Sequence, residues 1–246
     1  MSSRARAVEA VEEGRVRVAG APADSPARQV GAAEPITVVP PPDAYVSRGG
    51  HKLAAALDAF AIEVEGRSAL DVGASTGGFT DCLLQRGAAH VVALDVGRAQ
   101  LAWSLRNDPR VTVLERTDVR DFAGQSSGEP PDVCTVDVSF ISLRTIASAL
   151  LASTTPATEL VLLVKPQFEA GRARVGKGGV VRDPAVHRAV LHEVVDALSA
   201  AGIGVRALVV SPLQGADGNY EFFAHARHGL ATVSGDDIDA VVGDGT

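Results

Sequence analysis

Seven short apolar segments recur along the chain from residue 67 onward, each of a length typical of a buried strand. They lie at about 67–73, 90–96, 111–115, 132–138, 158–165, 204–211 and 220–226. Helical stretches separate most of them. The clearest runs from Asp183 to Ala201, with Pro184 at its first helical position and Gly202 beyond its end. This alternation predicts an α/β fold with a mostly parallel, doubly wound sheet.

The last two strands break the alternation. Only a polar, Gly-rich segment lies between Ser211 and Tyr220, and it is unsuited to a crossover helix. We therefore expect these two strands to be antiparallel neighbours. A seven-stranded sheet with a reversed terminal hairpin differs from the six-stranded dinucleotide-binding sheet, and it favours a Rossmann-like methyltransferase sheet over a dehydrogenase.

The two ends of the chain follow other patterns. Residues 1–41 predict a small α+β segment, with a helix from Arg6 to Glu13 and a strand from Arg15 to Val18. A run of prolines then indicates a stiff connection, and we expect a linker over 42–46 before an α/β domain over 47–229. Residues 230–246 are acidic and contain no Lys or Arg, which predicts a mobile tail.

The composition is that of a packed enzyme, with 46% apolar residues and a net charge of −7 that argues against a largely basic surface. Residues 165–182 nevertheless hold five basic side chains against one acidic, which predicts a local basic face. No apolar run approaches the roughly 18 residues of a transmembrane helix, and the N-terminus lacks the apolar core of a signal peptide. We expect a cytoplasmic protein with no membrane attachment.

The residues that commonly bind metals show no ligand spacing. Cys82 and Cys134 lie in apolar surroundings and read as two small buried hydrophobic residues. His187 and His192 are five residues apart, so they would face different sides of a helix. We predict no metal site.

A glycine-rich turn follows the first of the seven strands, in the segment Asp71-Val72-Gly73-Ala74-Ser75-Thr76-Gly77-Gly78-Phe79. Glycines at such a turn let the backbone approach a ligand, and N–H groups at the following helix start are hydrogen-bond donors. Asp95 ends the next strand, 22 residues after Gly73, where its carboxylate could accept hydrogen bonds from both hydroxyls of a ribose. Together these features predict a nucleotide-like cofactor.

Charged residues converge at one rim of the predicted sheet. Asp137 and Lys165 each follow a parallel strand, Glu221 begins the reversed strand, and Lys52 precedes strand one as a plausible fourth member. Two amines and two carboxylates suit the activation of an alcohol, because a desolvated lysine beside a second cation can accept a proton from a sugar hydroxyl. The alternative is that such pairs serve only packing or solubility.

At these residues the chain resembles the TlyA family, the so-called hemolysin A proteins. These are ribosomal RNA cytidine 2′-O-methyltransferases with an S4-type RNA-binding domain before a Rossmann-like catalytic domain. The most specific segments are 45–53, 70–80, 137–142, 164–169 and 219–223. The resemblance implies the Lys-Asp-Lys-Glu tetrad of FtsJ-like 2′-O-methyltransferases, which falls here on Lys52, Asp137, Lys165 and Glu221, with Lys165 as the base.

The resemblance also implies S-adenosylmethionine as cofactor. Its site would be lined by Gly73, Ser75, Thr76, Gly77, Gly78, Phe79, Asp95 and Val96, with Asp118 near the adenine edge or, alternatively, a solvated loop acid. The expected partner is ribosomal RNA or a ribosomal subunit, and no protein partner is predicted. Candidate RNA contacts are Arg4, Arg15, Arg48 and Arg182. The chain starts after the first helix of the S4 pattern, which predicts a truncated S4-type domain.

Three other functions are consistent with parts of the sequence. A nicotinamide-dependent dehydrogenase would use the same glycine turn, although the reversed hairpin disfavours it. A ribosome assembly factor could bind RNA through a non-catalytic methyltransferase fold. A cytolysin would need an amphipathic or apolar membrane segment, and the sequence shows neither.

Overall fold

The computed structural model describes residues 4–39, 45–122, 130–215 and 218–245. The chain divides into two compact units, Met1–Ala44 and Tyr45–Thr246. The helices are α1 (Arg4–Glu12), α2 (Arg48–Ala59), α3 (Gly78–Gln85), α4 (Trp103–Arg106), α5 (Val119–Phe122), α6 (Leu143–Ala152), α7 (Pro166–Glu169), α8 (Pro184–Ala200) and α9 (Gly235–Gly245). The strands are β1 (Val16–Val18), β2 (Ala21–Pro22), β3 (Ile36–Val38), β4 (Ser68–Val72), β5 (His90–Asp95), β6 (Val111–Glu115), β7 (Val133–Val136), β8 (Glu159–Val164), β9 (Ile203–Val210) and β10 (Phe222–His228).

The N-terminal unit contains α1 and a three-stranded antiparallel sheet in the order β2-β1-β3. Its small core consists of Ala10, Val16, Val18 and Ala23. The predicted helix and strand of this segment are present, whereas the S4-type identity stays a prediction. Of the predicted linker 42–46, residues 42–44 lie outside the described residues, and Tyr45 and Val46 belong to the larger unit.

The larger unit is built on a seven-stranded sheet in the order β6-β5-β4-β7-β8-β10-β9. Strands β4 to β8 pair in parallel, and β10 is antiparallel to both β8 and β9, which confirms the predicted sheet and its reversed hairpin. The chain proceeds from β4 outward through β5 and β6, then returns to form β7 on the other side of β4. Ligands of open α/β sheets bind at such a switch point, beyond the carboxyl ends of the strands.

Two core layers cover the sheet. Strand β8 is buried along its whole length and contributes to both, because successive side chains of a strand point to opposite faces. Leu160 and Leu162 join the layer formed with α6, α8 and α9, while Val161 and Leu163 join the layer formed with α2 and α3. Both cysteines are free and buried, as predicted. No helix among the described residues is long and apolar enough to span a bilayer.

The predicted mobile tail is wrong for residues 235–245, which form helix α9. Ile238, Val241 and Val242 are buried in the core layer of α6 and α8. Asp237 accepts hydrogen bonds from the backbone N–H and the hydroxyl of Ser234 just before the helix, each at 2.7 Å. The acidic composition concealed apolar residues at i, i+3 and i+4 spacing, which give the helix one apolar face.

Candidate active site

The glycine turn joins β4 to α3 and touches the loop after β7. Gly73 has a φ of 86°, Ser75 one of 48° and Gly77 one of 99°, so the turn contains three left-handed residues. A Cβ on Gly73 would lie 2.4 Å from the backbone oxygen of Asp137. Gly73 is therefore required both by its conformation and by the close approach of the Asp137 loop.

Gly77 and Gly78 leave room for neighbouring parts of the protein. A Cβ on Gly77 would lie 2.3 Å from Cδ1 of Leu105, and one on Gly78 would lie 2.2 Å from Oγ of Ser47 and 3.0 Å from the backbone nitrogen of Gly50. The lack of a side chain at Gly78 lets the start of α2 pack directly on the start of α3. That Gly77 and Gly78 also contact the cofactor stays a prediction.

Asp95 ties the turn to the end of β5. Its Oδ2 accepts a hydrogen bond from the N–H of Ser75 at 2.8 Å, and its Oδ1 accepts one from the N–H of Gly97 at 2.6 Å. Each carboxylate oxygen can accept a second bond. Asp95 therefore remains able to receive the two hydroxyls of a ribose.

Two adjacent cavities open beside the turn, with volumes of about 340 and 230 Å³. The larger of these, named here the cofactor cavity, includes Gly73, Ser75, Asp95, Val96 and Asp118 of the predicted residues. The smaller, named here the lysine cavity, includes Thr76, Gly78 and Phe79 together with Arg48, Lys52 and Asp137. Gly77 lines neither of these two cavities. A further cavity of about 460 Å³ lies between β9 and α9, away from this rim.

Several residues of the cofactor cavity were missed by sequence reasoning. Gln100 lines it, and its Oε1 accepts a hydrogen bond from the hydroxyl of Ser75 at 3.2 Å. Val119, Ile141 and Ile146 supply an apolar wall suited to a heterocycle. Val119 directly follows the predicted Asp118, whereas Ile146 comes from α6 and reaches the cavity only through the tertiary fold.

Asp118 sits at the edge of the cofactor cavity and is held by Arg120. Its carboxylate accepts from Nε and from a terminal guanidinium nitrogen of Arg120, at 2.9 and 2.6 Å. These hydrogen bonds hold the pKa of Asp118 below its usual range, so the group is a carboxylate at neutral pH. Its contact with an adenine stays a prediction.

Asp71 lies beneath the turn and is fully buried. Its two oxygens accept hydrogen bonds from the hydroxyl of Thr80 at 2.7 Å and from that of Thr135 at 3.0 Å, linking β4 to α3 and β7. Burial raises the pKa of Asp71 to about 7, against the opposing effect of these hydrogen bonds. Asp71, the acid that precedes the glycines, thus links β4 to α3 and β7.

Lys52 and Glu221 form a buried ion pair. Nζ of Lys52 donates to Oε2 of Glu221 at 2.6 Å, and the two side chains are 10% and 3% exposed. Lys52 comes from α2, and Glu221 directly precedes β10. A Cβ on Gly215 would lie 2.1 Å from Oε1 of Glu221, so the preceding loop packs closely on this carboxylate.

Lys165 and Asp137 form the second pair. Nζ of Lys165 lies 2.5 Å from Oδ1 of Asp137, at an angle that does not make a hydrogen bond, and it donates instead to Oγ of Ser139 at 3.0 Å. Pro166 follows and begins α7, while Lys165 itself is extended, as predicted. The lysine side chain is 12% exposed, so its charge is mostly removed from water.

The four predicted residues meet at one rim. Phe222 of β10 pairs with Val164 of β8, which places Glu221 and Lys165 at the same end of neighbouring strands. Lys52 and Asp137 line the same cavity beside the glycine turn. The two pairs therefore lie next to the site predicted for the cofactor.

The candidate RNA contacts are distributed over both units. Arg48 is exposed at the start of α2 and lines the lysine cavity. Arg182 is exposed, and its neighbour Val181 donates to Oδ1 of Asn219 at 3.0 Å, which holds that segment beside the chain leading to Glu221. Asn219 belongs to the segment 219–223 named in the sequence analysis, and it anchors the segment that carries Arg182.

The other two arginines belong to the N-terminal unit. Arg4 is exposed at the start of α1. Arg15 pairs with Glu13 at 2.5 Å and donates to the backbone oxygen of Val39 at 3.2 Å. Because Arg15 is engaged within its own unit, Arg4 is the more accessible of the two, and RNA binding by either stays a prediction.

Comparisons with known proteins identify the family of this chain. The FtsJ-like methyltransferase family model matches residues 45–228. The 16S/23S rRNA (cytidine-2′-O)-methyltransferase TlyA of Mycobacterium tuberculosis is 51% identical over 92% of this chain and 84% of that protein. Hemolysin A of Brachyspira hyodysenteriae is 42% identical over 91% of this chain and 93% of its own length.

Solved structures give the same result. A candidate hemolysin of Streptococcus thermophilus matches with a TM-score of 0.76 and 38% identity, over 99% of this chain and 90% of that chain. An S-adenosylmethionine-dependent methyltransferase structure from Mesorhizobium loti, with a TM-score of 0.51 and 14% identity, shares the fold. The predicted enzyme class, an S-adenosylmethionine-dependent methyltransferase, is confirmed at the level of the family. The chain belongs to the FtsJ-like methyltransferases and, among them, to the group that contains TlyA.

Proposed function

We propose that this chain transfers the methyl group of S-adenosylmethionine to the 2′-hydroxyl of a cytidine ribose in ribosomal RNA, with Lys165 as the general base. The observation that carries the proposal is the pair of lysine–carboxylate contacts beside the glycine turn. The named activity of the 51% identical relative supports the choice of substrate.

The cofactor cavity fits an adenosyl group. Asp95 retains acceptor capacity for two ribose hydroxyls, and Val96, Val119 and Ile141 offer an apolar wall for an adenine. The lysine cavity continues from it toward Lys52. When bound, the cofactor supplies a methyl group on a cationic sulfur, which leaves as a neutral thioether.

Lys165 is placed to accept the proton of the attacking hydroxyl. In its amine form, Nζ takes the 2′-hydroxyl proton while the oxygen forms its bond to the methyl carbon and the carbon–sulfur bond breaks. Asp137 and Ser139 hold Nζ in place, and Asp137 compensates the charge that Lys165 acquires. Because methyl transfer is a direct displacement, such alignment is the main requirement.

Lys52 supplies positive charge on the other side of the rim. Its ammonium is fixed by Glu221 and borders the lysine cavity, where it stabilises negative charge that develops on the ribose oxygen. Removing one partner of a buried pair leaves the other uncompensated, so both are needed for a defined geometry.

The test is the identity of the product. Purified protein is incubated with ribosomal RNA or ribosomal subunits and methyl-labelled S-adenosylmethionine, and the RNA is digested to nucleosides. The proposal requires label in 2′-O-methylcytidine. Label in a base contradicts it, and RNA binding without incorporation favours the non-catalytic assembly factor.

A further inference from the structure

A buried glutamate, Glu169, ends the short helix α7, which begins directly after Lys165. The residue is only 2% exposed, and its carboxylate has no part in the reaction described above. A carboxylate is costly to bury unless it is hydrogen-bonded, so the partners of Glu169 indicate what it does.

The side chain of Glu169 joins α7 to the start of α6. Its Oε2 accepts a hydrogen bond from the hydroxyl of Ser142 at 2.5 Å, and its Oε1 accepts one from the N–H of Leu143 at 2.7 Å. Nε of Arg144 lies 3.3 Å from the same Oε2. The first turn of a helix has free N–H groups and favours negative charge, so this position suits a carboxylate.

This link closes a ring of contacts around the amine of Lys165. Helix α6 begins at the end of loop 137–142, and this loop carries both groups that lie next to Nζ, Asp137 Oδ1 at 2.5 Å and Ser139 Oγ at 3.0 Å. The other end of the loop is fixed on the sheet, where the N–H of Asp137 donates to β4 at 2.9 Å. Glu169 therefore sets the position of the loop relative to the backbone of Lys165.

Neither segment is stable in this position by itself. Helix α7 has only four residues, about one turn, and an isolated turn of helix is unstable. Loop 137–142 contains Phe140, whose φ of 64° is unfavourable for a bulky residue and persists only where surrounding contacts impose it. The two segments depend on contacts with each other, and Glu169 supplies buried hydrogen bonds between them.

A network of charged side chains holds the end of α7 in turn. Arg144 donates to the backbone oxygen of Glu169 at 2.6 Å and to the carboxylate of Glu193 at 3.2 Å. Arg174 donates to the same carboxylate at 2.6 and 2.9 Å, and its Nε donates to the backbone oxygen of Ala170 at 2.7 Å. Because Glu193 belongs to α8, these bonds fix α7 to both α6 and α8.

We propose that Glu169 is a positioning residue for methyl transfer, which keeps Asp137 and Ser139 next to Nζ of Lys165 by fixing loop 137–142 against α7. The inference rests on the proposed 2′-O-methylation with Lys165 as base. Glu169 itself does not touch the reacting atoms. A small displacement of an aligned group lowers the rate of a direct displacement steeply, so the effect of Glu169 belongs to the rate and not to substrate binding.

The test is Glu169→Gln, which keeps the shape of the side chain but replaces one acceptor oxygen by a donor facing the donors of α6. We expect the single-turnover rate of methyl transfer to ribosomal RNA to fall about 10- to 100-fold. The KM for RNA and the calorimetric affinity for S-adenosylmethionine should stay close to the wild-type values.

Glu159→Gln is the matched control. Glu159 is also buried, 7% exposed, and it begins β8 at the end opposite to Lys165. Its Oε2 lies 2.7 Å from Nε of Arg227 and 2.7 Å from Nε2 of His225. This variant breaks a comparable buried ion pair, so it should lower stability and leave the rate at the wild-type value when measured well below the unfolding midpoint.

A double variant separates positioning from general structural support. If Glu169 acts through Lys165, adding Glu169→Gln to Lys165→Ala should leave the residual rate unchanged. A further loss of similar size in the double variant would overturn the inference, and so would a wild-type rate in folded Glu169→Gln.

Ser142→Ala decides the question if Glu169→Gln does not fold. It removes one hydrogen bond of Glu169 and should lower the single-turnover rate with cofactor affinity retained, whereas a wild-type rate would overturn the inference. A wild type that forms no 2′-O-methylcytidine would overturn the proposed function itself.

Discussion

At the scale of single residues, burial separates the acids of the site by their roles. Asp71 is sealed beneath the turn, whereas Asp95 and Asp118 border the cofactor cavity. The difference follows from position along β4 and β5, because Asp71 lies within its strand and Asp95 ends its own. One carboxylate therefore links elements of the fold, and the other two border the cofactor cavity.

Asp71 makes the stability of the protein depend on pH. Since its folded pKa is about 7 and that of an unfolded chain is 3.8, the folded state binds the proton more tightly. The contribution of Asp71 to the free energy of unfolding should be fully present below pH 3.8 and should fall as the pH rises to about 7.

Asp71→Asn removes this titration and keeps a side chain that can bond both threonines. Denaturant unfolding should show the variant gaining stability relative to the wild type between about pH 4 and pH 7, with Glu63→Gln at the surface as control. A stability difference that does not change over this range would show that Asp71 is not buried as described.

At the scale of elements, the contact between α2 and α3 brings Lys52 to the lysine cavity beside the glycine turn. The contact depends on the absence of a side chain at Gly78, whose Cβ would meet Ser47 at 2.2 Å and the backbone of Gly50 at 3.0 Å. Sequence reasoning placed Lys52 before strand one and did not predict helix α2. The packing of α2 on the turn could not be predicted either, because a small residue at a helix start is equally consistent with ligand approach and with helix contact.

Gly78→Ala should destabilise the protein by about 1–3 kcal/mol, because overpacking outweighs the roughly 1 kcal/mol that alanine gains in helix propensity. Methyl transfer should fall as well, since α2 carries Lys52. Gly243→Ala in α9 is the control: a Cβ there has no atom within 4 Å, so this variant should gain about 0.5–1 kcal/mol. Thermal unfolding of both variants distinguishes the two effects, and equal gains would contradict the described contact.

At the scale of the whole molecule, strand positions were predictable because each strand is a short apolar run between turns. The reversed hairpin followed from the absence of a crossover helix. Three rim residues, Asp137, Lys165 and Glu221, followed from strand direction, whereas Lys52 was only a plausible fourth. The helix over residues 235–245 could not be predicted from net charge. The acidic residues lie on its exposed face, whereas Ile238, Val241 and Val242 are buried on the other face. The contact between loop 137–142 and α7 was also hidden, since Phe168 and Glu169 reach that loop only in the folded chain.

Helix α9 should contribute to the stability of the larger unit. Ile238→Ala should lower the free energy of unfolding by about 2–4 kcal/mol, because it leaves a cavity in the layer formed with α6 and α8. The exposed Asp236→Ala should have little effect. Chemical denaturation measures the free energy of unfolding of both variants. An Ile238→Ala protein as stable as the wild type would support the prediction of a mobile tail.

The most direct test of the proposed mechanism is the single-turnover rate of methyl transfer to ribosomal RNA in Lys165→Ala, compared with Lys177→Ala at an exposed position of the same basic segment. The proposal predicts loss of transfer by about 100-fold or more in Lys165→Ala, with S-adenosylmethionine affinity retained, and a wild-type rate in Lys177→Ala. Transfer at the wild-type rate by Lys165→Ala, or equal loss of transfer and cofactor binding, would contradict a general-base role for Lys165.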